Sequence, residues 1–153
     1  MRFSRTPIRR RVSSPPAASP QLAARHFAAR LEYETDPADV WADLSTGAAD
    51  FIVVDVRSRE TFAGGHVPGA ISLPHAEIDE RVLEWLPRNT LLVTYCWGAG
   101  CNGATKAAMK LASLGYRVKE MIGGIDWWQR DNLPIEVGAE GDLPANPSVA
   151  AAG

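Results

Sequence analysis

A cysteine that stands where an apolar run stops and a glycine-rich turn starts is the chain's main candidate for chemistry. In the stretch LLVTYCWGAGCNGATKAAMKLA, Leu91, Leu92 and Val93 with β-prone Thr94 and Tyr95 lead into Cys96. Trp97, Gly98, Ala99, Gly100, Cys101, Asn102 and Gly103 follow as a turn, and Ala104, Ala107, Ala108, Leu111 and Ala112 then recur at the spacing of one helix face. A strand end, a loop and a helix N-terminus therefore meet at Cys96. Backbone N–H groups converge in such a place, and the positive end of the helix dipole favours an anion. A thiolate is such an anion, and these surroundings are expected to lower the Cys96 pKa and make it a nucleophile. An inert thiol buried at a strand end is the competing reading. The glycines of the turn favour the nucleophile, because they let backbone approach a bound group closely.

The elements that would hold this loop can be read on either side of it. Asp36-Pro37 is a helix start, a capping residue followed by proline at the first helical position. Val40, Trp41 and Leu44 form the buried stripe of that helix, and Gly47 ends it. Phe51 to Val56 is a continuous apolar run broken only by Asp55, as in a central parallel strand covered on both faces. Ser58 caps a short turn of helix through Phe62, and Ala70 to Leu73 is a short strand before Pro74. The spacing of Ile78, Val82, Trp85 and Leu86 predicts a second helix, closed by Pro87. A strand to Cys96, a helix Gly103–Leu114, a strand Tyr116–Ile122 and a short helix around Trp127-Trp128 complete the series. Alternating strands and helices mean an α/β fold, a parallel sheet with helices on both faces, whose ligands bind beyond the carboxyl ends of its strands. Cys96 falls at such an end.

The 153 residues suffice for one domain and extensions. Residues 1–30 carry seven arginines and no acid, whereas residues 31–153 carry nine basic and eighteen acidic side chains. A net charge of -2 thus hides a basic arm and an acidic body. The acidic body argues against nucleic acid as a partner, since phosphate contacts need a basic face. No run of apolar residues is long enough to span a membrane. Two cysteines five apart are no secreted disulfide framework, so a reducing, cytoplasmic setting is the default. The arm, rich in Arg, Ser and Pro, admits three readings: a disordered segment, an organelle-targeting peptide, or a basic arm for nucleic acid or for the acidic body. Residues 21–30 have the composition of a short helix, residues 31–137 form the expected domain, and residues 138–153 a small-residue tail.

Four blocks in this domain resemble the single-domain form of the rhodanese family. They are Asp55-Val56-Arg57, then Gly65-His66-Val67-Pro68-Gly69-Ala70, then Tyr95-Cys96, and last Gly123-Gly124 with Trp127 or Trp128 and Leu133-Pro134-Ile135-Glu136. They run in order and at the family's separations over about residues 32–137. The resemblance implies a rhodanese-like fold, a five-stranded parallel sheet flanked by helices on both faces. It also implies a thiosulfate sulfurtransferase-like enzyme in which Cys96 takes a sulfane sulfur as a persulfide and passes it to a thiol or cyanide acceptor. The loop Trp97, Gly98, Ala99, Gly100, Cys101 and Asn102 would bind the substrate, and Asp55, Arg57 and His66 would support the loops beneath it. Such chemistry calls for no cofactor and no metal. A homodimer stays an open option.

One departure from the family pattern concerns substrate charge. Members that use thiosulfate often carry a cation five positions after the cysteine, and here that position is Cys101. A dianion would then lack a charge-assisted hydrogen bond worth about 1.5–3 kcal/mol, with Lys106 one turn into the helix as partial compensation. Cys101 itself reads as a small filler, a resolving thiol or a second sulfur carrier.

Rival functions meet specific obstacles. Phosphatases on a related fold clamp phosphate with an arginine six positions after the cysteine, and here Asn102 stands there. Structural zinc usually takes four ligands, which Cys96 and Cys101 alone do not supply. A catalytically silent rhodanese-like binding or regulatory module, or a redox-sensing domain, remains the alternative to the enzyme.

Overall fold

The computed structural model describes residue 8 and residues 10–139. It divides into a unit reaching Leu31 and a unit that begins at Glu32. Among the described residues, no helix or strand occurs before α1, Pro20–Tyr33, which begins in the first unit and is longer at both ends than the expected 21–30. Leu22, Phe27 and Leu31 are exposed on it. The expected tail falls almost wholly outside the described residues, as do residues 1–7 and 9 of the arm.

The second unit contains a five-stranded sheet made of β1 (Glu34–Thr35), β2 (Phe51–Asp55), β3 (Ile71–Ser72), β4 (Leu91–Tyr95) and β5 (Val118–Met121). Its order is β1-β5-β4-β2-β3, and every pairing is parallel. The strand carrying the nucleophile candidate is therefore the middle one. β4 matches β2 over five residues, from Phe51 opposite Leu91 to Asp55 opposite Tyr95, and β5 flanks its other edge.

Side-chain alternation along β2 and β4 fills two cores, one on each face of the sheet. Ile52, Val54 and Leu92 point to one side and pack with Ala104, Ala107 and Leu111 of α4, Gly103–Ser113. Val53, Val93 and Tyr95 point to the other. There they meet Val40 of α2 (Pro37–Thr46), Phe62 of α3 (Arg59–Gly64), and Ile125 and Trp128 of α5 (Gly124–Arg130). Trp128 has no exposed surface, and its indole N–H donates to the Pro134 carbonyl at 2.7 Å, so burial strands no polar atom.

The caps follow the sequence signals. The Asp36 carboxylate accepts from the Asp39 N–H at 3.0 Å, and the Ser58 hydroxyl accepts from the Thr61 N–H at 3.2 Å. The helix expected over Ile78 to Leu86 does not form. Two short 3-10 segments, His75–Glu77 and Glu80–Glu84, take its place. Ile78 is extended between them, and the Asp79 carboxylate caps a fresh start by accepting from the Arg81 N–H. The apolar residues still reach the core, since Ile78, Val82 and Leu86 are buried, but Trp85 is 44 % exposed. The strand expected over Tyr116–Ile122 is shorter at both ends; Tyr116 lies before it and donates its hydroxyl to the Leu86 carbonyl at 2.9 Å. β1 had no counterpart among the elements read from local pattern.

Candidate functional site

Beneath the site lies a buried charge network on β2 and β4. The Arg57 guanidinium grips Asp55 through two parallel contacts, Nε to Oδ1 at 3.0 Å and Nη2 to Oδ2 at 2.6 Å. The Tyr95 hydroxyl donates to the same carboxylate at 2.5 Å and accepts from the Val67 N–H at 3.1 Å. A further Arg57 N–H reaches the Gly65 carbonyl at 2.7 Å. Burial and the adjacent Asp55 charge push the Tyr95 phenol far above its ordinary range, so it stays a donor. The side chains of Asp55 and Arg57 are 0 % and 3 % exposed, and neither has a fully buried nitrogen or oxygen without a hydrogen-bond partner.

Cys96 follows the last residue of β4, and the loop after it is pinned from the far side by α5. The Cys96 carbonyl accepts from the Ile125 N–H at 3.0 Å, and the Trp97 carbonyl accepts from the Asp126 N–H at 2.9 Å. So close an approach requires glycine. Gly124 has φ +57, and a Cβ there would lie 2.4 Å from the Cys96 carbonyl oxygen. The loop closes on itself where the Cys101 N–H donates to the Gly98 carbonyl at 3.0 Å, after which α4 begins at Gly103.

The two sulfurs face each other across the start of α4. A Cβ added to Gly103 would stand 2.9 Å from the Cys96 sulfur and 3.5 Å from the Cys101 sulfur. Glycine at the helix start is what leaves room for the pair. Each thiol bears on the other's ionisation; the Trp97 amide favours the charged form of both, and the Gly103 amide favours that of Cys101. Burial, reinforced by this Cys101 contact, pushes the Cys96 thiol up to about 11. For Cys101, burial opposes ionisation but is outweighed by the Cys96 hydrogen bond, the two amides and the nearby Lys106 charge, so its pKa is lowered. The expectation that Cys96 is the depressed thiol is corrected accordingly. The first negative charge of the resting pair settles on Cys101, the more exposed sulfur and the one that the helix N-terminus addresses.

These groups open on a cleft of about 390 Å³ lined by Cys96, Trp97, Cys101, Asn102 and Gly103 on one wall. Val56, Arg57 and Ser58 from the end of β2, and Pro74, His75 and Ala76 after β3, form the other. Trp97 is 55 % exposed at its mouth. Of the expected loop residues, Gly98, Ala99 and Gly100 do not line the cleft. Gly98 instead packs against α5, where an added Cβ would stand 3.3 Å from the Asp126 Cβ. Of the three supporting residues, only Arg57 reaches it. His66 is buried elsewhere, stacked on Phe62 at 3.6 Å between ring centres with Nδ1–H donating to the Phe62 carbonyl at 2.8 Å. Ser58, Pro74 and His75 were not singled out from the sequence. A signal existed, for they follow β2 and β3 at the same carboxyl edge of the sheet as Cys96.

Among the described residues, no group of three or more His, Cys, Asp and Glu side chains is placed to hold a metal ion, and no helix is long and apolar enough to cross a membrane.

Comparison with known proteins bears on the same segment. A family model for the rhodanese-like domain matches residues 36–131. The chain is 38 % identical over 92 residues to an HTH-type transcriptional regulator of Mycobacterium tuberculosis, covering 60 % of this chain but only 40 % of the regulator's length. It is 31 % identical over 104 residues to a thiosulfate sulfurtransferase of Haemophilus influenzae, with 67 % of this chain and 93 % of that protein covered. The structure is similar to the crystal structure of a Bacillus halodurans protein, with a TM-score of 0.75 and 45 % identity over 88 % of this chain and all of that one.

Proposed function

The chain belongs to the rhodanese-like domain family, and on that premise we propose that it is a sulfurtransferase working through a Cys96 persulfide. The observation that carries this reading is the thiol pair at the carboxyl end of the middle strand, opening on a cleft and fed by the Trp97 and Gly103 amides. The similarity to a thiosulfate sulfurtransferase favours thiosulfate as donor.

Cys96 becomes the attacking thiolate by passing its proton along the hydrogen bond to the Cys101 sulfur. It then attacks the sulfane sulfur of thiosulfate. The sulfur–sulfur bond of the donor breaks, and sulfite leaves with the electron pair. Cys96 keeps the transferred sulfur as a persulfide anion, which the Trp97 amide and the charge of Lys106 stabilise. A nucleophilic acceptor, cyanide or a thiolate, next attacks the outer sulfur and Cys96 leaves as thiolate. No step requires a metal, because the developing charges are sulfur anions that backbone donors can hold.

The test is thiocyanate formation from thiosulfate and excess cyanide by the wild type and by Cys96→Ser, with circular dichroism to check the fold. Thiocyanate from the wild type and none from the folded mutant is the expected result. Equal rates would remove Cys96 from the chemistry, and no turnover by either would favour a silent binding module.

A further inference from the structure

We propose that Cys101 resolves the persulfide within the same chain, releasing hydrosulfide and leaving a Cys96–Cys101 disulfide that a dithiol reductant then reopens. The proposal rests on the reading of Cys96 as the persulfide carrier and specifies a second fate for the sulfur it holds.

Three geometric facts support it. Both sulfurs lie within 3.5 Å of the single point that a Cβ on Gly103 would occupy, so the two thiols share one small volume. The turn closed by the bond from the Cys101 N–H to the Gly98 carbonyl folds the second cysteine back over the first. Both line the same cleft, so a departing sulfide has a route out. Chemistry adds a fourth. Cys101 holds the lower pKa of the two, and thiolate character governs attack on a sulfur–sulfur bond.

The step balances without an external oxidant. When Cys96 is loaded, Cys101 has taken its proton and stands as a thiol beside the persulfide anion. Return of that proton to the outer sulfur regenerates the Cys101 thiolate and turns the persulfide into its protonated, electrophilic form. Cys101 then attacks the Cys96 sulfur. A bond forms between the two cysteine sulfurs, the bond to the outer sulfur breaks, and hydrosulfide departs with the electron pair and the proton. The transferred sulfur is reduced to sulfide, while the two cysteine sulfurs are oxidised to the disulfide. A dithiol of the thioredoxin class supplies the two electrons that restore the starting state.

Any small side chain would fill the space, but this one is a thiol set beside the Cys96 sulfur, and the Gly103 and Trp97 amides favour its ionised form. The family's usual cation at this position would bind a dianionic donor, whereas a thiol there exchanges donor affinity for a built-in acceptor.

The experiment loads the wild type, Cys101→Ser and Cys101→Ala with equimolar thiosulfate, in the absence of cyanide or any thiol. Released hydrosulfide is measured, and each protein is alkylated and weighed intact. The wild type is expected to release hydrosulfide in stoichiometric amount and to become refractory to alkylation, with two hydrogens lost. Both variants should release none and retain one extra sulfur. A reduced dithiol should restore the wild type for a further round. If the wild type also retains the extra sulfur and releases no hydrosulfide, Cys101 is not a resolving thiol, although sulfur transfer by Cys96 stands. If no protein takes up sulfur or releases hydrosulfide, this inference and the sulfurtransferase reading both fall.

Discussion

The Arg57 guanidinium carbon lies 4.9 Å from the centre of the Trp97 ring. One side chain thus joins the buried Asp55 carboxylate to the exposed aromatic at the mouth of the cleft, and the network under the sheet sets where that wall stands. Asp55→Asn leaves the guanidinium buried without its counter-charge. Urea unfolding should show a loss of about 3–5 kcal/mol, as for one partner removed from a buried pair. Arg57→Lys should cost less but still lower activity, because an ammonium cannot fork onto the carboxylate and lie against the indole together. A loss in Asp55→Asn below about 1 kcal/mol, the value of an exposed pair, would show that the network carries no such weight.

Gly103 and Gly124 separate reactivity from stability. Gly103→Ala places a methyl 2.9 Å from the Cys96 sulfur at an ordinary helix start. Turnover with thiosulfate should fall at least about tenfold, the equivalent of 1.4 kcal/mol at the barrier, while the thermal midpoint holds. In Gly124→Ala the methyl meets the Cys96 carbonyl at 2.4 Å with φ at +57, which strains the backbone itself. Here the midpoint should drop, with at least about 1–3 kcal/mol lost to the conformation. Identical behaviour of the two variants would contradict the distinction.

The thiol pair makes a prediction about pH. Cys101 has the lowered pKa and Cys96 one pushed up to about 11, so as pH rises Cys101 is the first of the two thiols to ionise. Brief iodoacetamide treatment followed by peptide mapping should find Cys101 labelled first. In Cys101→Ser the thiolate that opposed Cys96 ionisation is gone, and the midpoint of Cys96 labelling against pH should move below its wild-type value. First labelling at Cys96 in the wild type would refute the order of ionisation.

Position 101 also tests the electrostatics of donor binding. Cys101→Arg restores a cation to the cleft wall and should lower the KM for thiosulfate in the cyanide assay, an advantage that salt erodes. It should at the same time abolish any hydrosulfide release. An unchanged KM would mean that the donor sits away from this wall.

Sequence pattern revealed the parts whose physics is local. Phe51–Asp55 and Leu91–Tyr95 are buried on both faces, so their continuous apolar runs identified them, and Asp36, Ser58 and Gly47 marked helix ends through capping chemistry that needs no distant partner. Glu34–Thr35 was invisible, because two residues have no period and become a strand only through pairing with Glu120 and Met121. The spacing of Ile78, Val82 and Leu86 fits an α-helix, but it fits equally a chain that turns, extends at Ile78 and turns again over the same core. Within the site, the position of Cys96 was legible from strand, turn and helix. Which cysteine ionises first was not, since that depends on where the Gly103 and Trp97 amides point and on the absence of a side chain at Gly103.

The middle position of β4 gives Cys96 a thermodynamic tether. Amide hydrogens along Leu92 to Thr94, with a strand on either side, should exchange with solvent only when the whole sheet opens, whereas Thr35 and Ser72 lie on the two edge strands and exchange by fraying. Cys96 is joined to the most protected segment of the sheet, so local melting does not release it. On heating, its accessibility to bulky alkylating agents should rise in a single step that coincides with global unfolding. The unfolding free energy of the domain then sets the rate at which this thiol meets damaging reagents too large for its cleft.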